Sequence, residues 1–274
     1  MHTKSHLHRY CTVAAGLFFL SAHSLPAQVG LGLSPMRVEM KIDPGMQHSG
    51  VLTLSSDSKD KIRVRAEALD FLIDQNQTPQ FEAKLPSESE FSCRDWLSIN
   101  PVETEVDSGR QVKVRYTIRV PAGAPSPRGY HCAIGLTTLP TADQINNAGI
   151  KTAVQVVSAL YITAGNPDIE GKFQELRMVR GTGQDSTRWS GEVVLRNNGL
   201  THFRPVGELS ILDASGKVLE SATLTPLPAL PKREQHYLVP FHRDLPAGTY
   251  TLRARLDFGK NVIEEGTSVV HAGE

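Results

Sequence analysis

Residues 111–120 alternate without a break: Val112, Val114, Tyr116, Ile118 and Val120 fall on one side, Gln111, Lys113, Arg115, Thr117 and Arg119 on the other. A period of two over this length describes a β-strand with one buried face and one wet face. Just before it, Trp96-Leu97-Ser98-Ile99-Asn100-Pro101 supplies a large aromatic and a proline-marked turn. Asp107-Ser108-Gly109 then supplies the polar turn that feeds the strand. An antiparallel sheet with one solvated face must bury its apolar face against a second layer, so the chain is constrained towards a sandwich.

The rest of the sequence continues that grammar. Strands are expected at 37–42, 51–54, 61–69 (with 71–73 continuing it across a bulge), the Trp96 segment, 111–120, 130–139 and 153–163. Seven strands at this spacing predict an immunoglobulin-like sandwich. The polar, acidic stretch 74–92 reads as a mobile loop, and 141–149 as a second loop without apolar anchors. A boundary falls at Gly165-Asn166-Pro167, after which strand patterning restarts at 173–179, 191–196, 207–212, 217–225, 236–241, 250–256 and 262–270. The proline-rich stretch 226–231 suits a crossover between sheets rather than a central strand. The expected fold is therefore all-β: two immunoglobulin-like β-sandwich domains in tandem, at 28–165 and 166–274, after a signal peptide at 1–27.

That leader has Lys4 and Arg9 in a basic start, an apolar run at 13–20, and small residues around Ser24 and Ala27 where cleavage would fall. The apolar run is too short to span a bilayer, and no later stretch qualifies, so no transmembrane segment is expected. The expected location is the periplasm. The 29 Lys and Arg balance 29 Asp and Glu, leaving no basic excess to attract nucleic acid. Cys11 leaves with the leader, and Cys93 and Cys132 remain. Two thiols in an oxidising compartment predict a disulfide, worth ~2–4 kcal/mol. The alternatives, a redox pair or a metal site, lack CxxC spacing and a histidine-rich partner segment.

No catalytic pattern survives inspection. Asp257-Phe258-Gly259 spells a kinase metal-binding triplet, but no glycine-rich or catalytic loop accompanies it, and it reads as a hairpin turn. Residues 181–186 resemble a phosphate-cradling loop without the βαβ context that such loops need. There is no Gly-x-Ser-x-Gly elbow, and His48, His131, His202, His236, His242 and His271 are scattered. Glu264 and Glu265 are adjacent on a strand and point to opposite faces. Neither an enzyme, a cofactor nor a metal site is expected.

In order, the opener Leu33-Ser34-Pro35-Met36-Arg37-Val38, the segment 51–54, the Trp96 block, Asp107-Ser108-Gly109, the 111–120 strand and Pro127-Arg128-Gly129-Tyr130 resemble the periplasmic pilus-assembly chaperones of the PapD-like superfamily. The resemblance covers about residues 31–163. It implies binding of pilin-like subunits in fimbrium biogenesis, by donation of a β-strand, and docking to an outer-membrane usher. The lent strand would be 153–163, with Val154, Val156, Leu160 and Ile162 as one apolar set and Val157, Ala159 and Tyr161 as the other. The subunit-binding residues it implies are Arg37, Val154, Val156, Ala159, Leu160 and Ile162. Arg37 would anchor the subunit's terminal carboxylate together with a lysine on the last strand, yet 157–162 holds neither Lys nor Arg, and Lys151 lies earlier. The competing reading is a structural or adhesive immunoglobulin-like envelope protein without chaperone activity.

Overall fold

The computed structural model describes residues 30–88, 90–140, 153–181 and 188–272. The expected leader at 1–27, the loop at 141–149, Lys151 and most of the 181–186 turn lie outside the described residues. The first sandwich is built from β1 (Leu31–Ser34), β2 (Arg37–Lys41), β3 (Gln47–Ser56), β4 (Ile62–Ile73), β5 (Pro79–Glu82), β6 (Leu97–Asn100), β7 (Glu103–Val106), β8 (Gln111–Arg119), β9 (Arg128–Leu139) and β10 (Gln155–Ala164). One sheet runs β1-β3-β8-β6; the other runs β2-β10-β9-β4-β5, with β7 also on β4.

The alternation of β8 explains its place between β3 and β6. Val114 and Ile118 are wholly buried, Tyr116 nearly so, and the intervening polar side chains face out. They meet Leu52 and Leu54 from β3 and Ile134, Leu136, Leu160 and Ile162 from the opposing sheet in one core. Burying each such side chain is worth ~1.5–3 kcal/mol. Trp96 meets Tyr130 edge-on, with ring centroids 4.5 Å apart. The expected Cys93–Cys132 disulfide is present, with Cα atoms 5.2 Å apart.

The second sandwich contains β11 (Gly171–Arg180), β12 (Trp189–Asn197), β13 (Val206–Leu212), β14 (Val218–Thr223), β15 (Glu234–Pro240), β16 (Gly248–Asp257) and β17 (Ile263–Ala272). Its sheets run β11-β12-β15 and β14-β13-β16-β17, so the proline-rich 226–231 stretch does cross between sheets. Asp257-Phe258-Gly259 turns the chain from β16 to β17: Asp257 Oδ1 accepts from the Gly259 and Lys260 amides at 2.8 and 2.9 Å, while Phe258 is buried in the core.

Three expectations are corrected. The first sandwich has three more strands than the seven read from sequence: β1, β5 and β7 are four residues each, too short for a period to register. β4 runs through Phe71–Ile73 without a bulge, its register against β5 unbroken from Asp70 to Ile73. The described part of 74–92 is not a loose loop, because two carboxylates, half-buried Asp74 and buried Asp70, organise it. Asp74 Oδ1 accepts the amides of Asn76 and Thr78, both at 2.9 Å, and turns the chain into β5. Asp70, 3% exposed, accepts from the Leu85 amide and the Ser92 hydroxyl and closes the far end.

Candidate functional site

β10 is paired unequally on its two edges. Against β9 it is antiparallel along its whole length, Gln155 to Ala164. Against β2 it is parallel only from Ala159 to Thr163. The chain passes from the first sheet to the second at Ser34-Pro35, between β1 and β2, and Ser158 Oγ donates to Pro35 O at 2.8 Å where the pairing begins. Among the described residues, nothing pairs with the β2-side edge at 155–158.

Strand parity identifies the groups left open. Ala159 N donates to Met36 O at 2.9 Å, towards β2, whereas Thr138 N of β9 donates to Val154 O at 2.9 Å. Residues two apart point their amide and carbonyl to the same edge. Gln155 and Val157 therefore present free N–H and C=O groups, while those of Val154 and Val156 face β9.

The side chains divide the same way. Val154 and Val156 are half-buried at the end of the core; Leu160 and Ile162, on the same face, are wholly sealed inside it. Ala159 lies on the opposite face with Val157 and Tyr161. There Leu69, Phe71, Ala133 and Tyr161 cluster with Leu230 of the second sandwich, edged by Phe81, Val157 and Ala159. This gives the two sandwiches a shared apolar contact.

Arg37 lies beside that contact, exposed on β2 and paired in register with Ala159. Its Nε is 3.6 Å from Glu39 Oε1. Another cation reaches Glu39 from the second sandwich: Arg204 Nε donates to the same Glu39 oxygen at 2.9 Å and its guanidinium lies 4.7 Å over the Tyr161 ring. Sequence reasoning missed Arg204, which is 165 residues from Glu39, because it looked for the partner cation on β10. Asn197 sets the turn that leads to it. Fully buried, Asn197 donates to Thr201 O and Ala229 O, each at 2.8 Å, and accepts from Gly199 N at 2.9 Å. The turn then docks through Gly129 N, which donates to Leu200 O at 2.8 Å. A Cβ on Gly129 would lie 2.9 Å from Thr201 Cα, so this approach requires glycine.

His202 completes the cluster, its ring 4.5 Å from that of Tyr161 and its Nε2 4.0 Å from Glu39 Oε2. His202 and Arg204 hold the Glu39 carboxyl at about 2, against the opposing effect of burial. Burial pushes the His202 pKa down, reinforced by the nearby Arg204 and His131 and opposed by Glu39, so the ring is neutral at pH 7. Both shifts have the same sign for stability. The unfolded chain takes up a proton at His202 below its ordinary 6.5, and at Glu39 below 4.5, before the folded chain does. The contact is fully stabilising above 6.5 and weakens as the pH falls. Thermal melts from pH 7.5 to 5.5 should show a decline that His202→Gln flattens; an unchanged slope would remove His202 from the account.

No protein-family model matches the chain, and no curated protein matches it. Solved structures of chaperones are similar to it. The YadV chaperone is similar at 12% identity and a TM-score of 0.46, covering 88% of this chain and 99% of its own. The E. coli chaperone DraB is similar at 17% identity and 0.40, covering 89% and 96%. The Pseudomonas aeruginosa CupB2 chaperone is similar at 13% identity and 0.43, covering 88% and 100%.

Proposed function

We propose that this protein is a periplasmic chaperone that binds incomplete, pilin-like β-subunits by lending them the edge of β10. The observation that carries this reading is the half-paired β10, whose β2-side edge is open at 155–158 among the described residues. An open edge with apolar neighbours is an aggregation hazard that folds ordinarily cover, and a use for it is a client lacking one strand. Free N–H and C=O groups at Gln155 and Val157 would pair with the client's strand, while Val156, packed against the core, and half-buried Val154 would enter the client's groove. Leu160 and Ile162 anchor the lent segment from within. Arg37 would take the client's terminal carboxylate, with Arg204 as the second cation once Glu39 gives way. Delivery to an outer-membrane usher follows from the same reading, as does export by the 1–27 leader.

The test is affinity purification from the periplasm of the native host, followed by mass spectrometry. The expected result is a stoichiometric β-rich subunit, reduced in amount by Arg37→Ala. Recovery of the chain alone, in the soluble periplasm and unaffected by Arg37→Ala, would favour the envelope-protein reading instead.

A further inference from the structure

We propose that the outer face of the β1-β3-β8-β6 sheet binds an anionic polysaccharide of the carboxylated, uronate type. Lys113, Arg115 and Arg119 stand on that face in a single row along β8, all exposed. Strand geometry puts successive members of such a row ~7 Å apart per two residues. None of the four strands contains an aspartate or glutamate.

Elsewhere several strand cations are neutralised within their sheets, although Lys41 and Arg253 are not among them. Arg63 and Arg65 of β4 share Glu103 of β7 at 2.8 and 2.6 Å. Arg177 meets Glu192 at 2.7 Å and Arg255 meets Glu265 at 3.4 Å. Among the described residues the β8 row has no such arrangement: Arg119 donates to an amide oxygen, Gln47 Oε1, at 3.1 and 3.3 Å. Like charges in file along a strand repel one another, so an external anion stabilises this face.

The neighbours of the row select the class of anion. Across the register lie Asn100 beside Arg115, Ser98 and Ser49 flanking Thr117, and Gln47 beside Arg119. These are hydroxyls and amides, and Val51 is the one exposed large apolar side chain among them. A docked folded protein would want an aromatic or aliphatic core, and serine and lysine are depleted from such cores. A face, unlike an edge, offers no free backbone groups for an added strand. Nor does it carry a row of aromatic platforms on which successive bases of a single-stranded nucleic acid stack: Trp96, at one end of the face, is packed edge-on against Tyr130. Hydroxyls, amides and spaced cations suit a hydrated, extended polyanion. At the Arg119 end the face opens into a groove of about 620 Å³ between Gln47, Ser49, Trp96, Ser98 and Thr117, room for a sugar ring. Asp95 at the groove's rim is engaged by Arg94 at 2.6 Å. The face belongs to a different sheet from β10.

Affinity electrophoresis of the intact protein in native gels tests this, with polygalacturonate, neutral dextran or no polymer in the matrix. Retardation is expected with polygalacturonate alone, lost at roughly 0.5 M salt. Lys113→Gln/Arg115→Gln should bind about tenfold more weakly, and Lys61→Gln, on β4's side of the molecule, should bind as wild type. Circular dichroism melts confirm that each variant is folded. Equal retardation by dextran, no retardation, full retention by the double variant, or tighter binding to single-stranded DNA or to an acidic protein would each overturn the proposal.

Discussion

Val157→Pro is expected to abolish client binding while leaving the fold in place. Proline removes one N–H, and at 157 that group points to the open edge rather than to β9. Edge positions of this kind tolerate proline, whereas ladder positions do not. The client's carbonyl would then lose its donor and meet a pyrrolidine ring, at a cost of about 1–3 kcal/mol from the hydrogen bond alone, or ~5- to 150-fold in Kd. Val156→Pro is the contrasting control, since its N–H belongs to the β9 ladder and its loss falls on the first sandwich itself. Urea denaturation should leave Val157→Pro close to wild type and move Val156→Pro to a lower midpoint. Because Val157 also touches the contact between the sandwiches, Gln155→Pro, at an exposed position, should reproduce the binding defect. A Val157→Pro protein that binds its client at wild-type affinity would exclude donation through this edge.

What the sequence disclosed, and what it hid, follows from the distance over which each signal acts. β8 was legible because its inward and outward sets differ at every step, and the first part of β4, 62–66, alternates in the same way, whereas 69–71 of β4 and 160–162 of β10 are buried on both faces. The turn at Asp257-Phe258-Gly259 was legible because its capping carboxylate acts within three residues. β5 was hidden because its hairpin depends on Asp70 and Asp74, carboxylates that read as polar loop signals until their amide partners are seen. The open edge at 155–158 was invisible for a different reason. Its cause is where β2 starts to pair, a matter of register between segments over a hundred residues apart. Both apolar sets of β10 were read correctly as alternating, yet only the structure separates Leu160 and Ile162, sealed in the core, from Val154 and Val156 at its end. Arg204 was hidden in the same way, since a cation recruited from another sandwich leaves no local pattern.

Removing the disulfide is expected to give a large loss of stability in the first sandwich. Cys93 precedes the short 3-10 turn Arg94–Trp96, where the chain leaves the β5 side of one sheet for β6 in the other. Cys132 lies in the middle of β9, and both are completely buried. The bridge thus ties the connection between sheets to the central strand on which β10 is laid, with Leu160 paired in register to Cys132. Closing a loop with a separation of 39 residues restricts the unfolded chain, and Cys93→Ala/Cys132→Ala should cost about 2–4 kcal/mol by urea denaturation. Alanine is the right replacement, since serine would bury hydroxyls in the same sealed space. Reducing agent should leave the folded wild type oxidised and act only as denaturant opens it, so thiol labelling should track unfolding. The loss should also be felt at the lent strand: with β9 less firmly held, amide exchange along the β9–β10 ladder should quicken more than along β16–β17 in the second sandwich. Equal midpoints for wild type and double variant, or labelling of the wild type without denaturant, would show that the bridge does not hold this region together.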